Sequence, residues 1–168
     1  MPTLDELNRY TPGEFSAAFG AVYEHSPWIA ERAFARRPFA TRLDLQLALV
    51  GVVQGAAEAE KLALIRAHPE LAGREAEAGA LTEASAREQA QAGLSALSRE
   101  EFLELKRLNA DYATKFGFPF IICARLNRKD AIFGTLRARL ANTRDQEIAN
   151  AIAQIGEIAR LRLADIVR

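Results

Sequence analysis

The feature that most restricts what this chain can fold into is its punctuation, because signals that start or stop a helix recur along its whole length. Thr11-Pro12-Gly13-Glu14 offers a capping threonine, a proline at the first helical position and a glutamate placed to reach back, which together make a capping box. The helix it opens is expected to bury Phe15, Phe19, Val22 and Tyr23. Ser26-Pro27 repeats the cap-then-proline signal, and the helix through Trp28, Ile29 and Phe34 must stop before Pro38. Leu43, Leu45, Leu47 and Leu49 alternate as a strand would. Ala48, Val50, Val52 and Val53 fill the gaps, however, so the stretch reads as a buried helix. Ala56 to Ala67 has a strongly helical composition and should end at His68, since the residue before a proline is pushed out of the α region.

The second half follows the same grammar. Residues 69–81, with Gly73 and Gly79, are expected to form a connecting loop, after which Leu81-Thr82 introduces a helix that ends near Gly93. Ser98-Arg99-Glu100-Glu101 is another capping box; its helix turns Phe102, Leu105, Leu108 and Tyr112 inward and closes at Gly117. Phe118-Pro119-Phe120-Ile121-Ile122-Cys123-Ala124 is too apolar for an ordinary surface loop. It is expected to be buried and extended at its start, with backbone groups that other residues must satisfy. Two further helices run from Asp130 to Leu140 and from Asp145 to about Val167. No stretches pair as strands, so the expected class is all-α, a single-domain bundle of about eight helices over residues 1–168.

Composition excludes several functions. With 168 residues, 49% of them hydrophobic, the chain can bury a core without disulfides or metals. Lys plus Arg equals Asp plus Glu at 22 each, so no global field gathers nucleic acid or an anionic membrane, and a small polar ligand suits the surface better. One cysteine, Cys123, and two histidines, His25 and His68, cannot make a four-ligand Cys/His zinc site or an intramolecular disulfide. No apolar run reaches the roughly 18 residues of a membrane span, and the first residues lack a basic stretch followed by an apolar one. A soluble, cytoplasmic protein is expected; the last residues are not a Ser-Lys-Leu type peroxisomal address.

Four places could carry chemistry. His68 ends a helix, where the partial negative charge of the terminus favours imidazolium; it is either a proton donor or a helix cap. Ser85, Glu88 and Gln89 fall at i, i+3 and i+4 on one helical face. Ser85 and Glu88 also satisfy a capping box, but Thr82 caps equally well, and Gln89 adds a group no cap requires. Arg162 stands where the stripe of Ile148, Ile152, Ile155, Ala159 and Ile166 calls for an apolar residue. It either snorkels at a helix edge or is buried against a carboxylate from the protein, a neighbouring subunit or a ligand. The Phe118 to Ile122 stretch is either core filling or a pocket wall whose backbone meets a flat polar ligand. Cys123 and His25 have no evident partners.

Taken together these segments resemble the OHCU decarboxylases of urate degradation, the 2-oxo-4-hydroxy-4-carboxy-5-ureidoimidazoline decarboxylase family. The residues that carry the resemblance are His68-Pro69-Glu70-Leu71, then Leu81-Thr82 with Ser85, Glu88-Gln89 and Ala92-Gly93-Leu94. Phe116-Gly117-Phe118-Pro119-Phe120-Ile121 and Arg162-Leu163 complete them. The order and spacing of four motifs over most of the chain make the likeness specific. The family often has aspartate where this chain has Glu70, and a small pair where it has Ala72-Gly73.

The resemblance implies an all-helical homodimer that needs neither metal nor organic cofactor and releases carbon dioxide from OHCU to give (S)-allantoin. It implies His68 as the catalytic acid/base, Glu88 and Gln89 on the ring and its hydroxyl, and Ser85 as a polar contact. It further implies Arg162 on an anionic or carbonyl part of the substrate, with Pro69 and Phe120, Ile121, Ile122, Cys123 and Ala124 supplying backbone contacts. Glu88 is expected to share the catalytic work. A lyase or hydrolase on a related ureido acid, or a non-enzymatic helical interaction module, remains the alternative at this point.

Overall fold

Threonine and serine side chains open several of the helices in the computed structural model, which describes all residues from Met1 to Arg168. Capping boxes Thr3/Glu6, Thr11/Glu14, Thr41/Asp44 and Ser98/Glu101 start α1 (Leu4–Arg9), α2 (Pro12–Phe19), α4 (Arg42–Gln54) and α8 (Arg99–Phe116). The remaining helices are α3 (Trp28–Ala33), α5 (Glu58–Ala67), α6 (Arg74–Glu77), α7 (Glu83–Gln91), α9 (Lys129–Arg139) and α10 (Arg144–Ile166). There is no strand, so the chain is all-α. It divides into two compact units: Met1–Ala67 with Gly156–Arg168, and His68–Ile155.

The first unit buries Leu7, Phe15, Phe19, Ile29, Leu45, Leu49, Leu64 and Ile65. The Phe15 ring lies 4.7 Å from Phe19, 5.6 Å from Phe34 and 6.1 Å from Phe39. Three local expectations need correction. α2 ends at Phe19, so Val22 and Tyr23 are buried from a turn beyond it. Ser26 does not cap α3: its hydroxyl is turned back to the Glu24 carbonyl, to which it donates at 2.9 Å, and Pro27 occupies the cap position without a side-chain bond. α4 is a helix as expected but is buried on one face only: Leu45, Ala48, Leu49, Val52 and Val53 point inward, while Leu43 and Leu47 are exposed.

The second unit packs α7 against the short 3-10 turn Ala124–Leu126 and α8 against α9. Its core includes Leu105, Leu108, Tyr112, Phe116, Phe120, Ile132 and Leu136. The expected loop 69–81 contains one helical turn, α6, which opens at Gly73 without a side-chain cap. α8 terminates at Gly117, whose φ of 80° is the left-handed conformation that a helix C-cap asks of glycine.

The capping box at α8 is the most testable of these local features. Ser98→Ala should lower unfolding free energy by about 1 kcal/mol, read from the urea midpoint at unchanged slope.

Candidate functional site

The chain leaves α5 at Ala67, and His68 begins a non-helical stretch, as the following proline requires. His68 is buried, 6% exposed, and its Nε2 makes no hydrogen bond within the protein although other contacts hold the residue. Next comes a tight turn, closed by the Gly73 N–H donating to the Glu70 carbonyl at 3.2 Å. Ala72, its third residue, has a φ of 48°, a left-handed conformation that costs an alanine about 1 kcal/mol. Two side chains hold the turn there. Gln89 Oε1 accepts the Ala72 N–H at 3.0 Å, and Asn109 Nδ2 donates to the Leu71 carbonyl at 3.0 Å. Gly73 is fixed by space: a Cβ there would come within 2.7 Å of the Glu70 Cβ. Burial, followed by repulsion from Glu75, holds the half-buried Glu70 carboxyl above its ordinary value.

α7 supplies the second part. Thr82 caps it, accepting the Ser85 N–H at 3.3 Å, which decides between the two caps the sequence offers and leaves Ser85 inside the helix. The residues α7 buries are Ser85, Glu88 and Gln89, and no apolar residue within the helix joins them. An amphipathic helix normally turns its apolar stripe inward. Here the inward stripe is a hydroxyl, a carboxylate and an amide.

The third part is the stretch from Phe118 to Ala124, buried except at half-buried Pro119 and non-helical until the turn at Ala124, as expected. The structure identifies what satisfies much of its backbone. Arg139 Nη1 donates to the Ile121 carbonyl at 2.7 Å, Gln154 Oε1 accepts the Cys123 N–H at 2.8 Å, and Asn127 Nδ2 donates to the Cys123 carbonyl at 2.9 Å. The carbonyl of Ile121 and both backbone groups of Cys123 therefore already have protein partners, leaving any ligand to meet the other groups of this stretch.

Arg139 is itself held by Glu147, which is fully buried. Glu147 Oε2 accepts from Arg139 Nε at 2.8 Å and from the Tyr112 hydroxyl, while Oε1 accepts from Asn142 at 2.8 Å and Asn150 at 2.7 Å. Burial alone would raise this carboxyl; the bonds from Asn142, Tyr112, Asn150 and Arg139 outweigh it and hold the group below its ordinary value. A cavity of about 270 Å³, bordered by Arg139, Asn127, Asn150 and Gln154, adjoins this network.

Arg162 belongs to the first unit and is buried at 6% exposure. The carboxylate its burial calls for is Glu24: Nη1 donates to Glu24 Oε2 at 2.9 Å and to the Val22 carbonyl at 3.3 Å. Pro69 is half-buried beside His68, and His25 is exposed. No group of three or more His, Cys, Asp or Glu is placed to hold a metal ion. The sequence pattern singles out none of Asn109, Arg139, Glu147 and Glu24, though Asn109 and Glu147 lie on helical faces that are otherwise apolar.

Residues 8–164 match the family model described as OHCU decarboxylase. The chain is 40% identical over 163 residues to the 2-oxo-4-hydroxy-4-carboxy-5-ureidoimidazoline decarboxylase of Haloferax volcanii, covering 97% of this chain and 95% of that protein. It is 40% identical over 165 residues to the protein of the same name from Amia calva, covering 98% and 94%. A crystal structure of (S)-allantoin synthase superposes with a TM-score of 0.79 at 26% identity, over all of this chain and 54% of that one.

The Glu147 network carries a stability signature. A carboxylate held below its unfolded value of 4.5 contributes stability that is complete above that pH and is lost as pH falls through the folded value. The unfolding free energy should therefore decline below about pH 4.5. Glu147→Gln should cost about 3–5 kcal/mol at pH 7 by leaving Arg139 buried without its counter-charge. It should also flatten the acid limb, both effects read by urea titrations at pH 7 and pH 4.

Proposed function

We infer the reaction from one premise: the chain belongs to the OHCU decarboxylase family. It is a carboxy-lyase that removes carbon dioxide from 2-oxo-4-hydroxy-4-carboxy-5-ureidoimidazoline and yields (S)-allantoin in urate degradation. The observation in the fold that carries this reading is the buried polar face of α7. Ser85, Glu88 and Gln89 face inward on a helix tied by Gln89 to the turn that follows His68. Burying three such groups gives up the apolar contact by which a helix normally docks, and sites that break the packing rule in this way are typically functional.

The chemistry asks for little more. When the C–C bond to the carboxylate breaks, carbon dioxide departs and the electron pair stays on the ring carbon, where the imine-like ring delocalises it. The pair moves into the adjacent C=N, and the hydroxyl on the carbon that lost carbon dioxide gives up its proton to become the product's carbonyl. A proton must reach the neighbouring, ureido-bearing carbon on one face to give a single enantiomer. His68, buried beside the turn, is assigned as the proton donor. Glu88 is assigned to the step before it, repelling the departing carboxylate or polarising the neighbouring hydroxyl. Ser85 and Gln89 orient the ring, and Gln89 does so with its carbonyl oxygen already fixed on Ala72, which leaves its amide nitrogen as the group that can donate to substrate. Pro69, Phe120, Ile121, Ile122, Cys123 and Ala124 form the surrounding wall. For Arg162 the reading is contact with a carbonyl or anionic part of the substrate. We further propose that the enzyme works as a cytoplasmic homodimer, on the strength of the family resemblance; sedimentation velocity tests the dimer.

His68→Asn should keep the helical circular dichroism of the unaltered protein and lose at least about 100-fold in turnover. The assay follows optical activity after supplying freshly made urate hydroxylation product. Unchanged formation of (S)-allantoin by the variant would remove His68 from the mechanism.

A further inference from the structure

α8 is an ordinary amphipathic helix except at one place. Leu105, Tyr112 and Phe116 lie on its inward face at spacings of seven and four, and the position that completes that stripe, four residues after Leu105 and three before Tyr112, is Asn109. Asn109 is 3% exposed. Its Oδ1 is buried with no hydrogen-bond partner, so the residue brings an unsatisfied acceptor into the core. Packing alone would place an apolar residue of similar size here and lose nothing on that atom. What Asn109 supplies is its donor, and the donor reaches 38 residues back to the Leu71 carbonyl.

The bond falls on a backbone that needs holding. Ala72, next in the chain, sits at a φ of 48°, where glycine is usual and alanine is strained. Asn109 grips the carbonyl before the strained residue, and Gln89 grips the N–H of the strained residue itself. Two side chains from two helices thus clamp one peptide unit. His68 and Pro69 immediately precede this turn, so a relaxation of Ala72 toward ordinary backbone angles would be passed directly to the imidazole.

We propose that Asn109 is a positioning residue for the reaction: with Gln89 it clamps the Leu71–Ala72 peptide in its left-handed turn and thereby fixes the His68 imidazole relative to Glu88 and Gln89. Asn109 touches no substrate in this role. The proposal rests on the reading of His68 as the proton donor, and it accounts for a buried amide that core packing does not require.

The chain contains only two histidines, His25 and His68, so the imidazole can be watched directly by NMR, with His68→Asn assigning the signals. In Asn109→Leu, the His68 ring signals should move while those of exposed His25 stay in place. Turnover number should fall at least tenfold with a smaller change in KM, and the melting temperature should stay within a few degrees. Adding Ala72→Gly should recover part of the turnover number, because glycine holds the left-handed turn without the clamp. A role in stability alone would move melting temperature and activity together and leave the His68 signals where they were. Unmoved His68 signals, or full turnover in folded Asn109→Leu, overturns the proposal. Asn109→Ala serves if the leucine variant does not fold, and failure of both to fold makes Asn109 a core residue and overturns it as well. The His68 reading fails on a different result, undiminished turnover by His68→Asn, whatever Asn109→Leu does.

Discussion

A carboxylate cannot be taken out of water alone, and the second unit is arranged around meeting that requirement at Glu147. Desolvating such a group costs several kcal/mol even after the protein relaxes, so a fully buried Glu147 is sustainable only with its lone pairs filled. Tyr112 from α8, Arg139 from α9, Asn142 from the turn between helices and Asn150 from α10 fill them. Each donor comes from a different place in the chain, so the carboxylate fixes the relative placement of those elements more tightly than apolar contact would. Arg139 then extends the arrangement to the Ile121 carbonyl, and its guanidinium lies 4.6 Å from the centroid of the Phe120 ring. A stretch of chain with no secondary structure of its own thus inherits the order of three helices.

That order is what allows α7 to break the usual rule. Turning Ser85, Glu88 and Gln89 inward forgoes the apolar burial that would ordinarily dock a helix of this length. The surrounding core offsets it. Tyr112 packs against Phe116, Phe118 and Phe120 at centroid distances of 4.5, 6.1 and 5.4 Å, and tilted or edge-on aromatic pairs of this kind contribute about 0.5–1.5 kcal/mol each beyond their burial. The same tyrosine donates its hydroxyl to Glu147, so one residue serves both the apolar core and the polar network.

Local rules made most of the helices legible before any coordinates. Capping boxes at Thr11 and Ser98, the stop imposed on α5 by Pro69, and the glycine that ends α8 all act within a few residues, and all are realised. Where reading failed, a competing bond decided. Ser26 has the chemistry of a cap, but its hydroxyl is turned toward the Glu24 carbonyl and away from the helix start. α6 has too little apolar content to announce itself and arises inside a stretch whose glycines suggest a loop. The polar face of α7 was visible as spacing, and the anomaly of Arg162 was visible as a break in a stripe. Asn109, between Leu105 and Tyr112, and Glu147, four before Ala151, are breaks of the same sort, but asparagine and glutamate on a long helix look like ordinary solvated positions. Glu24 has no signal, because a partner 138 residues away leaves no local pattern.

Arg139 and Arg162 use one device twice, each within its own unit: a buried arginine balanced by a glutamate and bonded to a carbonyl of non-helical chain. For Arg162 this bears on the substrate contact proposed for it. A guanidinium 2.9 Å from Glu24 is half of a neutral pair. A net positive charge held against the substrate's carboxylate would stabilise the ground state and lose that stabilisation as neutral carbon dioxide forms, which slows the step. A neutral pair still offers directed N–H donors without that penalty, and such donors suit the carbonyl oxygens of a ureido-imidazoline ring. Under the proposed contact, Glu24 therefore does more than make the burial of Arg162 tolerable; it makes Arg162 compatible with a reaction in which the substrate's own negative charge has to leave.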